Sequence, residues 1–243
     1  MSDLFLDIET VPDMGAAEYA EAARRIKEGD LGPGSPDSDL YWRCAKGALK
    51  YTQGRVALIT YQIDRAPTRR LCEWEDGEEA ILRRLYMVLQ DLQRNRGDDP
   101  LRIIGHNILG FDIHFLYNRM RMLGIAEEKW LHHWVINGPM AVDFLQIHLP
   151  LNGMSAMGLK HDVLAHAYGL PTKDASGGGE IEHYFRGEYD KILKYSRNEF
   201  VYPEMFRRIV ENGMVSGERL AEAIQWYKRT HLDGDVSGGQ GGA

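Results

Sequence analysis

The sequence predicts an α/β domain built on a central mixed five-stranded sheet flanked by helices. Two observations carry this. Short β-rich apolar runs at 4–10, 56–63, 68–74, 101–106 and 141–145 come first or alternate with amphipathic stretches, and only helical stretches follow them. The first three runs precede the first long amphipathic helix, which fits an antiparallel meander; the later two are separated by helix, which fits crossover connections.

Length and composition frame the domain. At 243 residues the chain suits one domain over 1–231, with a Gly-rich disordered tail at 232–243. A net charge of −7 argues against a chain-wide nucleic-acid coat but leaves room for a local basic groove, and a carboxylate site would itself add to the negative total. Cys44 and Cys72 lack metal-type spacing and read as free thiols in a reducing compartment. No signal peptide, membrane span or internal repeat is read, so the expected location is the cytoplasm.

In order, the opening run Leu4-Phe5-Leu6-Asp7-Ile8-Glu9-Thr10 is a strand, with Leu6, Ile8 and Thr10 on one face and Phe5, Asp7, Glu9 and Val11 on the other. Residues 12–55 form a helical and loop insertion: helix formers at 15–27, a Gly/Pro/Ser/Asp loop at 30–39, and a short helix at 41–51. A turn at 64–67 separates the second and third strands, and 76–93 is an amphipathic helix. The fourth strand, 101–106, leads into a helix from Phe111 to Leu123 that Gly124 stops. After the fifth strand, helices are expected over 154–168, 188–212 and 216–231, with a Gly-rich loop at 173–180.

Three stretches carry chemistry. Asp7 and Glu9 place two carboxylates on one strand face, where they repel unless a cation sits between them; at an effective dielectric near 20, unit charges about 4 Å apart cost roughly 4 kcal/mol. Oxygen-only ligands favour magnesium or manganese. Gly105-His106-Asn107-Ile108-Leu109-Gly110-Phe111-Asp112 leaves a buried strand and opens a helix with an Asp in its first turn. That Asp either complements the helix dipole or aims back toward Asp7 and Glu9. Tyr195 and Glu199 stand at i and i+4 on one helix face, as a surface hydrogen-bonded pair or as part of a site.

Taken together and in order, Phe-Leu-Asp7-Ile-Glu9-Thr10, His106-Asn107-x-x-x-Phe111-Asp112 and Tyr195-x-x-x-Glu199 resemble the three motifs of the DEDD superfamily of 3′→5′ exonucleases. The tyrosine type is the closer match, as in the proofreading domains of family-B DNA polymerases and their stand-alone relatives. The resemblance spans roughly residues 3–212 and implies a ribonuclease-H-like fold and two divalent cations, Mg²⁺ or Mn²⁺. It further implies release of nucleoside 5′-monophosphates from the free 3′ end of single-stranded nucleic acid, DNA favoured, in DNA repair or replication. On that pattern Asp7 bridges both ions, Glu9 and Glu199 hold the ion that activates water, Asp112 holds the ion at the leaving 3′-oxygen, and Tyr195 orients the water. Thr10, His106, Asn107 and Phe111 are the substrate-side candidates. Arg119 and Arg121 stand open to phosphate or to solvent, and Trp42, Trp74, Trp130 and Trp134 are unassigned stacking candidates.

One departure matters. The family has Asp where this chain has Glu199, one methylene longer, and a misplacement of about 1 Å can cost about 100-fold in rate. Alternatives therefore stay open: a nucleic-acid-binding module with a degenerate site, an exoribonuclease, a subunit docked on a helicase or polymerase through the insertion (Gly15 to Tyr51) or the tail, and a zinc hydrolase using His132, His133, His161 and Asp162.

Overall fold

Alternation in the first strand sets the architecture. β1 (Ser2–Pro12) turns Leu4, Leu6 and Ile8 into one core, and Phe5 and Val11 into clusters on its other face. The computed structural model describes residues 2–95, 101–137, 140–172 and 179–231, without the side chains of residues 134, 137, 198 and 199. After β1 come α1 (Ala16–Glu28), α2 (Ser38–Lys46) and a 3₁₀ turn (Gly47–Leu49). Next are β2 (Gly54–Ile63), β3 (Arg69–Cys72), the one-turn α3 (Glu73–Asp76), α4 (Glu78–Asn95), β4 (Leu101–Gly105) and α5 (Asp112–Met122). α6 (Glu128–Leu131) runs into a π-helix (His132–Asn137), followed by β5 (Met140–Asp143) and α7 (Phe144–His148). The chain closes with α8 (His161–Ala167), α9 (Glu180–Phe185), α10 (Tyr189–Glu199), α11 (Tyr202–Asn212) and α12 (Gly217–His231).

The strands form one five-stranded mixed sheet in the order β3-β2-β1-β4-β5. β1 is central, antiparallel to β2 and parallel to β4; β2–β3 is antiparallel and β4–β5 parallel, so the first three strands are the expected meander. On one face, Leu4, Leu6, Ile8, Val56 and Ile59 pack under Ile81, Leu82 and Leu85 of α4 and Ile113, Leu116 and Met120 of α5. Burying each such side chain fully contributes about 1.5–3 kcal/mol. The opposite face carries two separate clusters. Phe5 and Ile104 meet Phe144, Val163 and Met205; Val11 and Leu58 meet Tyr184 of α9 and Ile192 of α10. Asp7 and Glu9 lie on β1 between these clusters, in a polar interval that continues across the sheet through Thr60 and Arg70.

The stretch between β1 and β2 is tied to the body. Met14, Ala22, Leu31 and Cys44 make a small core of their own, and Tyr19 stacks on Phe185 of α9 with ring centroids 4.1 Å apart. Cys44 and Cys72 are buried free thiols.

Several expected elements differ. Of the helix expected over 154–168 only α8 forms, because Met154 and Gly158 adopt φ of 63° and 84°, which no right-handed helix accommodates. The helix expected over 188–212 is two, broken at Phe200-Val201, with Pro203 in the first turn of α11. Proline lacks an N–H and clashes with the preceding turn, so it starts a helix rather than continuing one. α9 begins at Glu180, the last residue of the segment expected as a loop; residues 173–178 of that loop, and the tail at 232–243, lie outside the described residues. α6 and the π-helix were not anticipated.

Arg119 meets neither solvent nor phosphate. It is buried, its Nε donates to Glu78 Oε1 at 2.8 Å, its second nitrogen pairs with Glu78 Oε2, and Nη1 donates to the Tyr51 carbonyl at 3.0 Å. Glu78 Oε1 also accepts the Val56 N–H at 2.8 Å, so this pair locks α5 to α4 and β2. Removing one partner of a buried pair strands the other charge. Glu78→Ala is expected to cost about 3–5 kcal/mol in urea unfolding, and a loss below about 1 kcal/mol would show the pair to be solvated instead.

Candidate active site

β1 outruns β4. Their parallel ladder ends at Phe5↔Ile104, and two residues further on β1 stands Asp7. The next backbone donor, the Ile8 N–H, gives its hydrogen bond to Asp112 Oδ1 at 3.0 Å. A side chain from the start of α5 thus takes the place of a strand, and this brings Asp112 to the stretch of β1 that carries Asp7.

The loop from β4 to α5 is fixed from both sides. A Cβ on Gly105 would lie 2.5 Å from Ile108 Cγ2 and 2.6 Å from the Leu6 carbonyl, so only glycine lets the chain turn this close to β1. Asn107 adopts φ of 56°, a left-handed conformation that asparagine tolerates, and its carbonyl accepts the N–H groups of Gly110 (3.1 Å) and Phe111 (3.0 Å). From the other side, the buried Asp143 carboxylate accepts N–H bonds from Asn107 (2.8 Å) and Leu109 (3.0 Å), and caps α7 through Leu145 (2.9 Å).

Electrostatics load this arrangement. Burial first, and the Asp7 charge second, hold the Asp112 carboxyl well above the usual carboxylate range; the Ile8 N–H opposes them, and Asp143 adds a smaller push upward. Asp7 is half-buried, and its Oδ1 accepts a hydrogen bond from the Tyr202 hydroxyl at 2.9 Å. Tyr202 opens α11 and is itself buried, its ring among those of Phe144, His161 and Phe200 at centroid distances of 5.3–5.8 Å.

α10 crosses the same sheet face. Thr60, the cross-strand partner of Asp7, hydrogen-bonds to Ser196 of α10 at 2.8 Å; both residues are buried. Tyr195 precedes Ser196 and is half-buried, and Glu199 ends the helix three residues after Ser196. The Glu199 side chain lies outside the described residues. Glu9 is half-buried on the Asp7 face, opposite Leu58.

Of the substrate-side candidates, Thr10 is engaged internally, its hydroxyl donating to the Ala48 carbonyl at 2.6 Å. His106 is half-buried with its ring 6.0 Å from that of His161, and Phe111 packs 5.3 Å from Phe115. Trp74 stacks on Tyr189 and Trp130 packs edge-on against Tyr86, whereas Trp42 is 41% exposed. The Trp134 side chain is outside the described residues. Among the described residues no group of three or more His, Cys, Asp or Glu side chains is close enough to hold a metal ion, so the zinc constellation of His132, His133, His161 and Asp162 is not assembled. Asp7 and Asp112 nevertheless fit a hard cation in donor chemistry, because their mutual repulsion is the load a divalent ion relieves.

Sequence reasoning did not single out Tyr202, Asp143 or His161 as parts of this neighbourhood. Asp143 was visible only as an acid within the fifth apolar run, in the segment between the second and third motifs, and Tyr202 had no local signal, since its contact spans 195 positions. His161 is buried, and both its ring nitrogens lack a hydrogen-bond partner among the described residues. No protein-family model and no curated protein matches the chain.

Two outcomes follow. A folded-state carboxyl raised above its unfolded value favours folding only while protonated: that contribution is complete below about pH 3.9, the unfolded value, and is lost as pH rises through the folded value. Asp112→Asn keeps an acceptor for Ile8 and removes the charge, so the metal-free variant is expected to melt higher than wild type at neutral pH, with the gap closing below about pH 4. A lower Tm at neutral pH would contradict this. Asp143→Ala leaves three backbone donors without their acceptor and is expected to cost about 3 kcal/mol or more, with faster hydrogen exchange at Asn107 and Leu109.

Proposed function

We propose that the chain is a divalent-metal-dependent 3′→5′ exonuclease that hydrolyses single-stranded DNA from its 3′ end. The observation that carries the reading is the meeting of Asp7 and Asp112, delivered by β1 and by the helix after β4, at a polar interval in the sheet face. The strand order β3-β2-β1-β4-β5, with its antiparallel meander, is consistent with a ribonuclease-H-like arrangement, and the three motifs fall on β1, on the β4–α5 loop and on α10 in the order the DEDD resemblance implies.

On this reading Asp7, Glu9, Asp112 and Glu199 hold the cations. When bound, Mg²⁺ or Mn²⁺ neutralises the phosphodiester charge and makes a nucleophile available at neutral pH. Tyr202 keeps the Asp7 carboxylate in one orientation through its hydroxyl. Asp143 holds the loop that presents Asp112. Tyr195 orients the attacking water. Water adds to phosphorus, the bond to the 3′-oxygen breaks, that oxygen takes a proton, and a nucleoside 5′-monophosphate leaves.

The test is digestion of a 3′-labelled single strand in Mg²⁺ or Mn²⁺, with DNA and RNA compared. Asp7→Ala and Asp112→Ala are expected to lower the rate on the order of 10⁴-fold. Glu199→Asp is expected to stay within about 100-fold of wild type, in either direction. Strand binding without turnover in either metal would replace the nuclease with a binding module.

A further inference from the structure

On the Asp7 face of the sheet, one cross-strand row runs outward from the carboxylate. Asp7 on β1 lies opposite Thr60 on β2, and Thr60 lies opposite Arg70 on β3. With strands about 4.8 Å apart, the Arg70 backbone stands roughly 10 Å from that of Asp7. α10 roofs this row: Ser196 Oγ bonds to the Thr60 hydroxyl at 2.8 Å and accepts from Arg70 Nε at 3.4 Å. The next residue, Arg197, is exposed, and its Nε reaches only the Leu193 carbonyl, at 3.3 Å.

These two guanidiniums differ from most arginines of the chain. Arg24, Arg25, Arg43, Arg55, Arg83 and Arg84 each lie against a carboxylate. Among the described residues neither Arg70 nor Arg197 has such a partner, and the two repel each other. Partial burial, and after it the Arg197 charge, lower the Arg70 guanidinium from its ordinary value. Two like charges gathered without a counter-ion, in a protein of net charge −7, are poorly explained by stability. A bound anion would relieve their repulsion as a cation relieves that of Asp7 and Asp112.

We propose that Arg70 and Arg197 form a seat for the phosphodiester backbone of a single strand, engaging a phosphate upstream of the one presented to Asp7. The proposal rests on the nuclease reading above and adds to it a phosphate contact at the β3 edge, beside α10 rather than over the covered Thr60. Its contacts are to phosphate, so they position the strand without reading its bases. Arg69, the neighbour of Arg70 in β3, alternates to the other side of the sheet and is not part of the seat.

Binding of the full chain to fluorescent oligodeoxythymidylate, measured in EDTA so that no metal-dependent cleavage occurs, tests this across a salt series. Each lost phosphate contact reduces the slope of log K against log salt by about 0.7 for a single strand. Arg70→Ala and Arg197→Ala are each expected to reduce the slope by about that amount and to weaken mixed-sequence strands equally. Arg84→Ala, which removes an exposed arginine paired with Asp76, is expected to leave the slope unchanged. Arg70→Lys, which keeps the charge, is expected to retain most of the slope and serves as the check that loss in Arg70→Ala is not misfolding. Wild-type slope in both alanine variants, or an equal drop in Arg84→Ala, overturns the seat while leaving the nuclease reading intact. A wild-type chain that binds no strand in EDTA overturns the seat, whereas the nuclease reading falls only if digestion in Mg²⁺ and Mn²⁺ also fails.

Discussion

The structure depends on how one strand end is satisfied. β1 continues past the end of its ladder with β4, and a backbone donor there cannot be left dry without cost. The Ile8 N–H is met by Asp112, a residue 104 positions away. That single bond fixes where α5 begins relative to β1, and it sets a carboxylate where an ordinary sheet would have a carbonyl. The Gly105 turn and the three N–H bonds to Asp143 are the local conditions for it. Tyr202 acts on the other acid, from a helix that starts where it does because Pro203 prevents continuation.

The arrangement works against the stability of the empty protein. A buried carboxyl beside a second acid is favoured only while protonated, yet its backbone hydrogen bond is best when it is ionised. The surrounding structure resolves the conflict by rigidity rather than by charge balance: apolar clusters on both sides of the polar interval, and a buried Arg119–Glu78 pair behind it. Such a locally unfavourable site in an otherwise consistent fold is where function is expected to lie.

The sequence made the local parts of this legible. Alternation in residues 4–11 revealed which side chains share a face, and an Asp opening a helix after a buried strand marked Asp112. Helix ends set by backbone conformation were less accessible. Met154 does not advertise a positive φ, and the break at Phe200-Val201 depended on giving Pro203 its full weight. Long-range partners were inaccessible in principle. Nothing near Arg119 in the chain announces Glu78 or Tyr51, and nothing near Tyr202 announces Asp7. Glu199 is known only by its place at the end of α10.

The helix bearing Asp112 is held twice, two turns apart: at its first residue by β1 and at Arg119 by α4 and β2. A helix clamped at two such points does not fray alone. Partial opening that would release Asp112 must also break the buried ion pair and the edge of β2, so the acid belongs to the same cooperative unit as the central core. Thermal fluctuation is thereby diverted away from the Asp112 side of the sheet face. The opposite side, α9 and α10 with the α1–α2 layer against them, rests on smaller clusters and is the side held less firmly.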